Sequence, residues 1–462
     1  MTAAEEETPW LRLARFSEDH AENKRLWNGY QKYLLRPHSD EYQRQLENPK
    51  FACIVDLSDA EIHSIQIEIP DLPKELEQHG VIALNEGTKV INTDLRMSGF
   101  YFAFKFRLMG TTLKGYLNLN ETEFLRGVSF RGSIFQNMFL ADKACFHGFA
   151  NFFKCEFNSK LSCRSAVFAY AHFHSASFGY SCLFNNTSFV GGANFTDSNF
   201  ANSVDFGSVG FHGVTFFNLT AASSAAVPIS FNATKFCKHP PHFFGRALHE
   251  DTDWTGVKLP NARSKTAQCE CLRENDKRAD DTVQMADKPR DSKAQAALPR
   301  HLLEHDKRAY EQLRIKCGAL GKVEDEHMFF RREMELTGRL SPWYTRVTYW
   351  LYHLVSDYGY SYWRPIAGMV GVWYFWSLFY ALNFMARDQL HLCMDGVELF
   401  LSIAGLSFAN IFSVFGFYRR FPSDLLADPT FVTVLLTVSE TLLGFVFLFF
   451  LGLGLRTRFR LR

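Results

Sequence analysis

Between Phe124 and Phe216 a phenylalanine returns every five or six residues, and the alternation of the two steps makes an eleven-residue period. Phe124, Phe135, Phe146, Phe157 and Phe168 form one ladder. Phe173, Phe184, Phe195 and Phe206 form a second, with Phe178, Phe189, Phe200 and Phe211 interleaved. Two residues before each rung stands something small or β-branched, as at Thr122, Ser133, Ala144, Cys155, Ala166, Ala176 and Val204. Neither the 3.6-residue helical period nor the two-residue strand period yields this spacing. A chain that turns a corner every five or six residues does, each side sending one large and one small side chain inward. A fixed short period of this kind is the mark of a solenoid. Met97, Phe102, Leu108, Leu113 and Leu119 carry the pattern backwards, so a mainly β solenoid is predicted over residues 90–258, fading after Phe236 with a last turn before Pro260.

The flanks follow other rules. Residues 1–50 read as short helices (WLRLARF, ENKRLWNGYQKYLLR), and 51–89, with the strand-like pieces FACIVDL and IHSIQIEI, as a cap on the first coil. Residues 259–300 are charged, poor in large apolar side chains and interrupted by proline, a linker composition. Two helical stretches around a Gly-Lys turn predict a hairpin over 301–340, and the aromatic run that follows predicts an interfacial helix over 341–364. Residues 365–386 carry no charge and are long enough to cross a hydrocarbon core of roughly 30 Å. Residues 431–455 are equally apolar apart from Glu440, whereas 396–418 is diluted by Ser402, Gly405, Ser407, Asn410, Ser413 and Gly416.

Charge then orients the chain. The tail 456–462, RTRFRLR, holds four arginines, which places it on the cytoplasmic side. The acidic N-terminus shows no secretory signal, so the solenoid is expected on that side too. Two ends on one side require an even number of crossings. Residues 396–418 are therefore expected to be re-entrant or interfacial, although Arg419 and Arg420 pull the other way.

The rungs resemble the pentapeptide-repeat family, here in a Phe-centred, eleven-residue variant. The resemblance implies a right-handed, four-sided β-helix and says little of function, because that fold carries many roles. From about Phe329 the chain resembles the membrane-anchored bacterial members, on FFRREM, LVSDYGYSYWRP and GLGLRTRFRLR. That likeness implies a bacterial inner (cytoplasmic) membrane location and an ion-channel-like module of span, short helix and span. No TVGYG-like filter is present; the corresponding stretch reads FANIFSVFGF.

Candidate chemistry is sparse. Glu440 at mid-span must face protein or water, as a pore or proton-path residue or as an acid bonded to a neighbouring helix, for instance at Asn410. Glu398, Ser402, Asn410, Ser413 and Glu440 are the candidate intramembrane polar or pore-lining residues. Glu398, Ser402, Gly405, Ala409, Ser413 and Gly416 recur at helical steps as a small, polar face suited to close helix packing. Cys237, His239 and His242 in CKHPPH are read as a solvent-facing loop, given two adjacent prolines and no fourth ligand nearby. His172 and His174 read as surface residues, and the pair Cys269 and Cys271 as linker thiols. The ten cysteines show no disulfide framework, consistent with a reducing compartment. Formal net charge is +1, and between Phe124 and Phe236 basic residues outnumber acids, so the solenoid does not imitate a nucleic acid and no nucleic-acid partner is expected. No nucleophile elbow, phosphate loop or metal motif is visible, and no enzyme, cofactor or metal is expected. The expected partners are the lipid bilayer, further copies of the chain, and an unidentified protein on the solenoid. The expected role is a membrane-anchored interaction or assembly scaffold or sensor; the alternative is an oligomeric ion channel-like protein with the C-terminal module as the pore.

Overall fold

The structure, a computed structural model, describes residues 8–37, 39–46, 48–72, 81–84, 90–220, 226–260, 300–385, 396–417 and 430–459. The linker expected at 259–300 falls almost wholly outside these residues. The chain divides into two units, Met1–Phe329 and Phe330–Arg462.

The first unit is a β-solenoid of about seven turns. Its short strands pair in parallel in three sheets of 13, 6 and 7 strands. Thr112, Ile134, Glu156, Ser177 and Asn199 lie in register, 22, 22, 21 and 22 residues apart, which sets the coil length. The eleven-residue ladder of the sequence is thus half a coil. Phe124 stacks on Phe146 and Phe146 on Phe168, at centroid distances of 5.0 and 4.5 Å, while Phe135, Phe157 and Phe178 form a different column at 5.1 and 5.3 Å. Each rung belongs to a column of like residues, as nearest-neighbour stacking requires.

Every second corner is closed by a residue in the left-handed region. Glu121, Lys143, Lys154, Ser165, Ser175, Asn186, Asp197 and Ser208 have φ between 54° and 60°, and each directly precedes a small inward residue. Because the corners alternate in conformation, the steps alternate in length. Several of the small residues also carry a donor that the period does not explain. Thr122 Oγ1 donates to Met97 O at 2.9 Å, Ser133 Oγ to Leu108 O at 2.7 Å and Thr187 Oγ1 to Cys163 O at 2.6 Å, so a buried hydroxyl is satisfied by the neighbouring coil.

One column breaks the large-small rule and shows what the rule protects. In the seven-stranded sheet Phe139 and Leu161 occupy the small position, and the residues two places on, at the expected centre, are Ala141 and Cys163. From Cys182 and Val204 onward the order reverts, with Phe184 and Phe206 as centres. Each side thus keeps two buried inward side chains even where the order of large and small is reversed.

Both ends of the array are covered. Helix α1 (Pro9–Ala14) and helix α2 (His20–Leu35) lie over the first coil, with Trp10 and Trp27 buried there. Trp27 Nε1 donates to Tyr101 O at 2.9 Å, and Asn28 accepts from Tyr101 N at 2.7 Å and donates to Gly99 O at 3.1 Å, so side chains occupy groups a further strand would have used. Two short helices, α3 (Ser39–Leu46) and α4 (Pro49–Ala52), precede α5 (Asp59–Glu68). The strand-like reading of IHSIQIEI is corrected by α5. Ser58 and Glu61 form a reciprocal capping box there, a helix-start signal that outweighs the alternating isoleucines. Parallel pairing begins at Val81–Ala83, against Lys105–Arg107.

At the far end Trp254 stacks on Phe231 at 4.6 Å, and Phe329 meets Trp254 edge-on. Helix α6 (Arg300–Ala319) buries Ala309, Tyr310, Leu313 and Cys317. Lys316 Nζ donates to the carbonyls of Phe243 and Arg246, and Lys322 Nζ to that of Thr252. Ammonium groups end this array where helix amides and indoles begin it.

Helix α7 (Val323–Leu340) carries the chain into the second unit, which holds α8 (Trp343–Ser356), α9 (Trp363–Met385), α10 (Gly396–Ile411) and α11 (Phe431–Phe459). Helices α9 and α11 include segments of 22 and 27 residues long and apolar enough to cross a membrane, and of an apolar 18-residue stretch in each only 17% and 11% is buried. A soluble core helix would be mostly covered. Helix α10, with 16 residues, reaches about 24 Å, less than a hydrocarbon core. The surface of α9 shows Val370, Tyr374, Phe375, Leu378 and Leu382 outward, and that of α11 shows Leu435, Val438, Leu442 and Phe445.

Candidate functional site in the helical unit

Helices α9, α10 and α11 pack through two apolar clusters, one around Met369, Val372 and Ile411, the other around Tyr380, Phe384 and Ile403. Helices α10 and α11 come close together at Gly444, where an added Cβ would lie 2.6 Å from Ile411 O. A glycine there lets two backbones meet without a side chain between them. Between the clusters the interior turns polar.

Glu440 has no exposed surface. Its Oε2 accepts from Tyr380 Oη and from Asn410 Nδ2, both at 3.0 Å, and Ser407 Oγ donates to its Oε1. Asn410 Nδ2 also reaches Tyr380 Oη at 3.2 Å, and that hydroxyl lies 3.2 Å from Thr437 Oγ1. One residue from α9, two from α10 and two from α11 thus form a closed network whose donors are all neutral. A second layer continues it. Asn383 Nδ2 donates to Thr433 Oγ1 at 3.0 Å, and Trp376 Nε1 to Leu436 O at 3.1 Å. A polar side chain left without partners in hydrocarbon is costly, so a network of this kind ties the helices that supply it.

Of the five candidate intramembrane polar or pore-lining residues, Asn410 and Glu440 meet directly. Ser402 and Ser413 are half-buried and are not among Glu440's partners; Ser413 sits in a short 3-10 turn past the end of α10. Glu398 lies in the first turn of α10, with its side chain outside the described residues. Tyr380 and Ser407 were not singled out as site residues. The signal for them was weak: a tyrosine in an aromatic span and a serine among several.

Helix α8 stops at Asp357, which is left-handed at φ 51°. Arg331 binds Asp357 at 3.2 Å and lies 4.7 Å over the ring of Tyr360, while Arg364 donates to His353 O at 2.7 Å. The motif LVSDYGYSYWRP thus builds a charged elbow between α8 and α9. Outward on α8 lie Trp343, Tyr344, Val347 and Trp350.

The loop reading of CKHPPH is corrected in the first unit. His239 and His242 are 7% and 2% exposed, and Pro241–His242 is a strand paired with Thr215–Phe216. The two prolines do not end the coil because parallel pairing here needs no donor from Pro241. Cys237 is disulfide-bonded, whereas Cys145, Cys155, Cys163 and Cys182 in the repeat are free thiols. His172 and His174 stack with each other and with Phe153 and are half-buried.

The chain matches no protein family, no curated protein and no solved structure.

Proposed function

We propose that this is a membrane-anchored pentapeptide-repeat protein, non-enzymatic, whose right-handed, four-sided solenoid serves as a rigid interaction or assembly scaffold or sensor on the cytoplasmic face of a bacterial inner membrane. The family and handedness rest on the repeat pattern, and the cytoplasmic side on the arginine-rich tail. The observation that carries the reading is the closure of the Glu440 network inside one chain. Tyr380, Ser407 and Asn410 already occupy the carboxyl group, which favours an anchor held together by buried polar contacts over a conduit lined by them. The second reading, an oligomeric channel, draws on the order of long helix, short helix, long helix and on the apolar outer faces that further copies could cover.

Planar-bilayer recording of the purified full chain, beside a mass measurement in detergent, separates the two. The anchor reading expects no conductance from wild type or from Glu440→Gln with the assembly intact. A wild-type conductance whose cation preference falls in Glu440→Gln would overturn it. For topology, cysteine labelling from outside spheroplasts should reach Gln389 and fail at Thr457 and Ser188; labelling of Thr457 would mean three crossings.

A further inference from the structure

At the C-terminal end of the solenoid His242 presents an anomaly. It is 2% exposed, and among the described residues neither Nδ1 nor Nε2 has a hydrogen-bond partner. A neutral imidazole offers one donor and one acceptor, and buried rings ordinarily use them. Here the ring faces two other potential ligands. Its Nε2 is 3.5 Å from Asp306 Oδ1, and its centroid is 4.5 Å from that of His305. One donor atom each from His242, His305 and Asp306 falls within 4.8 Å of the others. The carboxylate is held from its far side, His239 Nδ1 lying 2.9 Å from Asp306 Oδ2. Its ion-pair partners among the described residues are these two imidazoles, with no lysine or arginine.

We propose that His242, His305 and Asp306 bind a divalent first-row transition cation, zinc by preference, with His239 as the positioning residue of the carboxylate. Two imidazoles and one carboxylate suit zinc and its neighbours and not magnesium or calcium, which take oxygen donors. Ligand bonds of about 2.0–2.2 Å put donor atoms of a tetrahedral site roughly 3.3 Å apart. The present spread closes to that value by rotation of His305, whose side chain is exposed. The same exposed side leaves a fourth position to water. A carboxylate fixed by a hydrogen bond from behind is the usual support for a ligand.

The consequence is mechanical. His242 belongs to the solenoid and His305 to α6, 63 residues later in the chain. A cation between them would pin the covering helix to the last coils, and its binding free energy would add to the stability of that end. The candidate lies wholly within the first unit and is independent of any role for the membrane helices.

The test uses the untagged full chain in detergent, stripped with a chelator and titrated with ZnCl2 or CoCl2. Wild type should take up one equivalent, gain melting temperature as free zinc rises, and give the visible absorption of low-symmetry cobalt. His305→Ala, at an exposed position, should abolish all three while melting like stripped wild type. His239→Ala should weaken binding by about 10–100-fold. The proposal is overturned if wild type takes up no stoichiometric metal, or if His305→Ala and Asp306→Asn retain wild-type uptake and melting shift.

Discussion

The two units bury opposite things. In the solenoid the interior is phenylalanine and the outside is polar, whereas in the helical unit the outside is Leu, Val and Phe and the interior holds Glu440, Asn410, Ser407 and Thr433. The inversion follows from the solvent each surface implies. In water the gain comes from removing apolar area, and a Phe column collects it coil after coil. In lipid, apolar area gains nothing by packing against apolar area, so helices are tied by polar contacts and close backbone approach. The treatment of stray polar groups differs too. The solenoid leaves His212 buried with its Nδ1 unpartnered among the described residues, whereas Glu440 has three donors.

The largest expected effect breaks the solenoid. Phe195 stacks between Phe173 and Phe217 and meets Phe184, Phe189, Phe200 and Phe206 at edges or tilted. Phe195→Ala should cost about 3–5 kcal/mol in denaturant unfolding of the full chain, against at most about 0.5 kcal/mol for Lys160→Ala on the outside. Equal losses would mean that the columns do not carry the fold.

Inverting the helical unit's rule comes next. Glu440→Leu supplies apolar volume but removes the acceptor shared by Tyr380, Asn410 and Ser407, leaving them only the longer contacts to Thr437 Oγ1, Tyr380 Oη and Trp373 O, each 3.2 Å, with a total cost of about 1–3 kcal/mol. Glu440→Gln keeps an acceptor and should lose about 1 kcal/mol or less. Thermal melts in detergent should rank wild type close to Gln and well above Leu. The reverse order would show that polarity at this site is a liability carried for another purpose.

A third experiment uses pH. Burial, reinforced by Lys238 and Lys235, pushes the His212 imidazole down to about 4. Its unfolded value is near 6.5, so between those limits the unfolded chain binds a proton that the folded one refuses. The contribution is fully present above pH 6.5 and is lost as pH falls toward 4, at most about 3 kcal/mol. His212→Gln should flatten that part of the stability curve; an unchanged slope would remove His212 as its source.

The smallest effect sharpens the account of the corners. Ser208 is exposed with φ 57°. Ser208→Gly should stabilise by about 0.5–1 kcal/mol, since glycine accepts this conformation without the Cβ penalty. The same change at Ser129, in a strand, should destabilise.

The sequence by itself determined the solenoid and the two apolar spans, because both are one-dimensional signals. A coil meets only its neighbours, so the period carries the contact list, and a run of apolar residues long enough to cross a hydrocarbon core can be read without knowing what it packs against. It also marked Glu440 as anomalous, since a lone acid in a span needs no partner to be conspicuous. Tertiary structure alone decided the partners. That Tyr380 and Ser407 join Asn410 on one carboxyl group depends on how three helices rotate against one another, and a serine on a helix looks the same facing in or out. That His239 and His242 lie buried beside Asp306 depends on a helix that begins about sixty residues later, a separation no local pattern spans. The exchange of Phe139 with Ala141 belongs to the same class. The period marks two inward positions on each side of a coil, and only the structure shows that Phe139 and Ala141 are both buried there with large and small reversed.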